Sequence, residues 1–326
     1  MKYPILSLLI ILLVSCNRPT DSERNDPEIE VTVNEWINTF NLSEDPRAVN
    51  VHQLFVSHSG YLFAGTDSGI YRTVNLGDKY KHLLTGSVRV LSFHETKSGM
   101  YAGTENDGVY SSTDDGVTWF NYGLLGQTIN CMSSINDTLI AGTNSGVFQL
   151  DMNDDSWKRI GLNDTIVLTL IEDGNHNIFA GTEKNGIFSY NGKSTWKATK
   201  ITSGAVVAMT LAKDNIIFFS LWGQGLFKMS NNGTTVIGTG LKNPNYIQSI
   251  AVDTVGHIFT ANSQIGILAS PDNGTTWSSL NEGLGSGEKK SIVILPGGDL
   301  FVSENPLYEQ PTRIYKYSKT SYNYNK

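Results

Sequence analysis

The chain has 326 residues, 10% of them aromatic, with 32 glycines against 9 prolines and a net charge of −7. That length buries a substantial core in one large all-β domain or two ordinary ones, and the acidic balance excludes nucleic acid and anionic lipid as natural partners. Two cysteines exclude a disulfide framework.

Residues 1–15 read as a signal peptide: Lys2 opens it, and Ile5 to Val14 is an apolar run broken only by Ser7. The run is too short to span a bilayer. It ends in Leu13-Val14-Ser15-Cys16, which resembles the lipobox of bacterial lipoproteins. The resemblance implies cleavage before Cys16 and acylation of that cysteine, so that the membrane is met through the lipid anchor alone. Loss of Lys2 with the signal takes the net charge from −7 to −8. Residues 16–30 are then the acylated cysteine and a polar tether, with Pro19, Pro27 and the carboxylates of Asp21, Glu23, Asp26, Glu28 and Glu30. Such a stretch cannot bury enough to order itself. Cys131, in the apolar segment Ile129 to Met132, is left without a partner and reads as a small core residue.

Residues 31–326 carry a repeat. The first glycine of a short hairpin falls at Gly65, Gly103, Gly142 and Gly181, in steps of 38, 39 and 39. A closing glycine recurs at Gly69, Gly108, Gly146, Gly186, Gly225 and Gly266. An alternating apolar segment precedes each hairpin, the seven starting at Val51, Val88, Ile129, Val167, Val206, Ile247 and Ser291. Each unit ends on a strand marked by an aromatic: Trp36, Tyr80, Trp119, Trp157, Trp196 and Trp277, with Val236 standing in once. Seven four-stranded antiparallel meanders of about 40 residues predict an all-β, seven-bladed β-propeller. The strand after Trp36 precedes the first complete unit, and the last unit lacks a good outer strand, so the N-terminal strand is expected to close the ring. The alternative is closure by Ser321 to Asn325.

Ser112-x-Asp114-x-Gly116-x-Thr118-Trp119 recurs as Ser270-x-Asp272-x-Gly274-x-Thr276-Trp277. This turn resembles the Asp-box of bacterial-neuraminidase-type (BNR) repeats, and a degenerate copy contains Asn232 and Gly233. Its physical role is local: the carboxylate caps turn N–H groups and the tryptophan pins the strand. The hairpin half, as in Asn177-Ile178-Phe179-Ala180-Gly181-Thr182, resembles sensor propellers of two-component regulators and photosystem II assembly-factor propellers. These resemblances imply a fold and leave function open.

For a sialidase the resemblance implies an arginine triad and an early Arg-Ile-Pro motif. Of seven arginines only Arg47 and Arg89 fall in loops that reach the central face, and no Arg-Ile-Pro occurs. Another glycoside hydrolase needs two opposed carboxylates, for which Asp67, Glu105, Asp107, Glu183 and Glu304 are available on the hairpin face. Solvated turn residues would look the same. Six histidines show no metal-ligand spacing, and neither a metal nor a cofactor is expected. Gly283 to Lys289 is superficially like a phosphate loop, but Glu288 stands where glycine would be needed.

One unit breaks the pattern. Aligned without a gap, Ser220 to Gly225 matches Ala64 to Gly69 and sets Trp222 where other units carry threonine. Trp222 and Gln224, with Asn245 and Tyr246 of the next loop, suit a sugar or a partner's side chain. The plainer reading is that Trp222 fills the space of the missing glycine and threonine. Glu105, Asp107 and Glu183 are the further candidate ligand contacts.

The expectation is a lipid-anchored envelope protein, at the outer membrane or cell surface, that binds a protein or carbohydrate without catalysis. The alternatives are a glycan-active hydrolase of the Asp-box type and an envelope assembly or sensor-like factor.

Overall fold

A computed structural model describes residues 36–41, 50–73, 80–84, 87–193, 195–230, 235–239, 241, 246–306 and 312–318. The signal, Cys16, the tether, Arg47, the Asn232-Gly233 turn, Asn245 and the segment Ser321 to Asn325 lie outside the described residues.

The described chain forms seven four-stranded antiparallel sheets. Their innermost strands, Val51–Val56, Val90–Thr96, Ile129–Ile135, Val167–Glu172, Val206–Leu211, Ile247–Val252 and Glu288–Ile294, touch in cyclic order. The protein is therefore a seven-bladed β-propeller. Ring closure uses the N-terminal strand. Ile37–Asn41 pairs with Arg313–Tyr317 as the outer strand of blade 7, Ile37 opposite Lys316 and Asn41 opposite Arg313. Trp36 locks the junction, donating from Nε1 to the Leu280 carbonyl of blade 6 at 2.6 Å and packing on Tyr317 with ring centroids 5.2 Å apart. The pairing covers the edge that Arg313–Tyr317 would otherwise present and ties the two ends of the ring into one sheet.

The cores lie between blades. Phe63 and Ile70 of blade 1 pack with Val90, Phe93 and Met100 of blade 2, and Trp119 closes the cluster. Tyr101 and Val109 of blade 2 meet Ile129, Met132 and Leu139 of blade 3, beside Trp157. Full burial of each large side chain contributes about 1.5–3 kcal/mol, so every blade draws its stability from its neighbours. The end-strand tryptophans thus serve packing. Trp157 also donates to the Tyr122 carbonyl across the blade boundary at 2.8 Å.

The in-strand glycines follow from the same boundary. A Cβ at Gly142 would stand 2.5 Å from Cys131 Sγ and 2.8 Å from Val167 Cγ1 of the next blade. At Gly103 and Gly181 the next blade's Ile129 and Val206 are equally close. The threonine after each of these glycines closes the hairpin: Thr66, Thr104, Thr143 and Thr182 donate to the carbonyls of Gly69, Gly108, Gly146 and Gly186.

The two Ser-x-Asp turns share one hydrogen-bond pattern. Asp114 Oδ1 accepts from the Val117 and Thr118 amides and from Ser112 Oγ, while Oδ2 accepts from Thr118 Oγ1. Asp272 repeats this with Thr275, Thr276 and Ser270. The Thr118 amide and hydroxyl hold the Asp114 carboxyl at about 2, and the Thr276 hydroxyl and amide do the same for Asp272. Gly116 lies against the Phe63 ring of blade 1, and Trp119 Nε1 donates to its carbonyl.

Candidate functional site

In an antiparallel meander the turn between the second and third strands lies on the same rim as the loop entering the inner strand. The Ser-x-Asp turns lie on the opposite rim. One backbone bond ties the hairpin rim together in blade after blade. The first turn residue donates its N–H to the residue preceding the inner strand: Asp67 to Asn50, Glu105 to Arg89, Glu183 to Ile166, Trp222 to Ala205 and Ser263 to Tyr246.

This bond corrects the gapless alignment of blade 5. Leu221 pairs with Val206 as Thr66 pairs with Val51, so Leu221 holds the threonine position and Ser220 the glycine position. Trp222 stands where blades 1, 2 and 4 carry Asp67, Glu105 and Glu183. The reason is turn length: three residues precede Gly225, whereas two precede Gly69. The space of the missing glycine and threonine is filled without Trp222, whose side chain is left 43% exposed. Its ring lies 4.7 Å from that of Tyr246, tilted by 58°. Gln224 is exposed beside it, and Asn245 falls outside the described residues.

The acidic candidates are mostly engaged. Arg89 joins two of them, its Nε 2.9 Å from Asp67 Oδ1 and its NH1 2.8 Å from Glu105 Oε2. His52 Nε2 lies 2.7 Å from Asp67 Oδ1, and Asn50 donates to Oδ2. Burial works to raise Asp67, but the hydrogen bonds of His52 and Asn50, with the Arg89 charge beside them, outweigh it and hold the carboxyl below its ordinary range. A carboxylate held ionised in this way is no general acid. Glu183 pairs with Lys184 at 3.3 Å, and the Asp107 carbonyl accepts from Asn121.

Glu304 is buried, not rim-exposed. Its Oε2 receives Lys289 Nζ at 2.7 Å, and the same ammonium donates to the carbonyls of Gly285 and Gly287. Lys289 belongs to the inner strand, which starts at Glu288 and not at Ser291. All three donors of Lys289 are used, so the loop Gly283 to Lys289 presents no phosphate-binding cation. Sequence reasoning missed this pair and the Asp67–Arg89 cluster. The available signal was register: Lys289 and Glu304 oppose each other where other blades pair Val51 with Thr66 or Val90 with Thr104.

No family model matches the chain, and no curated protein matches it. Solved structures do. The likeness is one of fold. The extracellular domain of a hybrid two component system from B. thetaiotaomicron superposes with a TM-score of 0.70 at 16% identity, over 86% of this chain and 39% of that one. Virginiamycin B lyase from Staphylococcus aureus gives 0.69 at 13% identity, over 84% and 97%. YCF48 from Cyanidioschyzon merolae gives 0.66 at 14% identity, over 87% and 98%, and a further YCF48 structure holds D1 peptide. Among the described residues no helix is long and apolar enough to cross a membrane, and no three His, Cys, Asp or Glu side chains gather to hold a metal.

Proposed function

We propose that this chain is a non-catalytic, extracytoplasmic binding module whose hairpin rim around Trp222 and Tyr246 engages a protein partner. The observation that carries this reading is the exposed Trp222 ring at a rim position where the other blades place Asp, Glu, Asn or Ser. An exposed tryptophan braced by a second aromatic is the kind of anchor that dominates protein interfaces. Ion pairing of Asp67, Glu105, Glu183 and Glu304 speaks against a hydrolytic carboxylate pair. The likeness to an extracellular sensor domain and to a propeller that holds a peptide supports the location and the class of partner. Affinity capture from envelope extract, run beside a glycan array, tests the reading. The expected result is a retained protein and a blank array; hydrolysis of an arrayed glycan would overturn it in favour of the enzyme.

The lipid anchor belongs to the same proposal and rests on Leu13 to Cys16. Cys16→Ala is expected to move the protein from the membrane to the soluble fraction on cell fractionation. Unchanged membrane retention would refute the anchor.

A further inference from the structure

The inner strands enclose a channel of about 630 Å3, within the range that holds a small organic ligand. At its hairpin end His52, Asn130, Gln248 and Lys290 line it from four blades. Farther along, the wall turns apolar. Phe55, Val56, Val252 and Ile294 line both this channel and a second cavity of about 520 Å3 at the opposite end.

Among the described residues that line the channel, Lys290 is the one Lys or Arg, and it has no ion partner. Its Nζ donates to Gln248 Oε1 at 3.1 Å, and among the described residues no carboxylate comes within ion-pair distance. The contrast is with Lys289 one residue earlier, which is neutralised by Glu304. Burial holds the Lys290 ammonium below the ordinary amine range, with Glu288 acting in the opposite direction. His52 adds no second cation beside it: burial lowers the imidazole more than Asp67 raises it, which favours the neutral ring. Lys290 is half-buried, and a cation at such a site without an ion partner gains when a ligand supplies the counter-charge.

We propose that the channel binds an amphipathic monocarboxylate, its carboxylate paired with Lys290 beside Gln248 and its hydrocarbon tail lying along the axis toward Phe55 and Ile294. One unneutralised ammonium matches one negative charge. A dianion such as phosphate would also face Asp67, which stays ionised at the same rim. The apolar wall selects a tail, at roughly fourfold in affinity per buried methylene. This site is separate from Trp222 and does not depend on the partner bound there.

Calorimetric titration of the folded chain with octanoate, hexanoate, octan-1-ol and inorganic phosphate tests the site. Octanoate is expected to saturate at one equivalent, roughly fifteenfold tighter than hexanoate, while octan-1-ol and phosphate do not saturate. Lys290→Met should weaken octanoate at least tenfold, and Trp222→Ala should leave it unchanged. Gln248→Leu supplies a second weakened variant if Lys290→Met does not fold. Failure of octanoate to saturate, equal binding by the folded Lys290 or Gln248 variant, or displacement of octanoate by phosphate would overturn the proposal.

Discussion

Glu304→Ala is expected to lower the melting temperature by roughly 6–10 °C. Glu304 and Lys289 are 3% exposed as residues, and Lys289 Nζ reaches only Glu304 and two backbone carbonyls. Removing the carboxylate strands an ammonium in low dielectric, at a cost of about 3–5 kcal/mol. It also removes an acceptor from Tyr315 Oη and an anion from beside Arg313. The pair itself is dispensable, because blades 1 to 4 build the same position from an aliphatic and a threonine. Lys289→Val combined with Glu304→Thr should therefore recover most of the lost stability. Calorimetric melting of the single and double variants checks both statements. A double variant as unstable as Glu304→Ala would show that the charge pair does something the other blades do not need.

Gly142→Val is the second large effect. The added Cβ alone would meet Cys131 Sγ at 2.5 Å and Val167 Cγ1 at 2.8 Å, so either the strand or the next blade must shift. Overpacking of this kind costs about 1–3 kcal/mol, and the branched side chain adds to it. The melting temperature should fall by several degrees. Combining Gly142→Ala with Cys131→Ala should recover part of the loss of Gly142→Ala, since one of the two clashing groups is gone while Val167 remains. An unchanged melting temperature for Gly142→Val would refute the account of why glycine sits inside this strand.

These two positions also show what a sequence makes legible in a repeat fold. Gly142 is visible because its reason repeats: every blade must let the next one approach, and the period exposes the residue that allows it. Closure by Ile37–Asn41 is visible for the same reason, as a strand missing at one end and surplus at the other. The Lys289–Glu304 pair departs from the repeat, and the inner strand of blade 7 begins earlier than its apolar run suggests. Cross-blade contacts such as Arg89 with Asp67 join residues whose spacing carries no local pattern. Trp222 shows the opposite failure. Its oddity was plain, but aligning the hairpins without a gap set it one position early, because turn length varies between two and three residues. The pairing of Leu221 with Val206 and the repeated bond from the first turn residue to the entering loop fix its place, at the rim position of Asp67, Glu105 and Glu183. Lys290 could not be singled out from sequence at all, since its environment is made by neighbouring blades.

On the proposed reading, the rim at Trp222 binds a partner without being needed for the fold. The deciding experiment compares the chain and its Trp222→Ala variant in the same envelope-extract capture, with melting curves of both. Loss of an aromatic anchor costs about 2 kcal/mol or more at an interface, so the variant is expected to lose partner retention roughly thirtyfold with an unchanged melting temperature. Equal retention by both proteins, or a variant that loses its fold together with its partner, would contradict it.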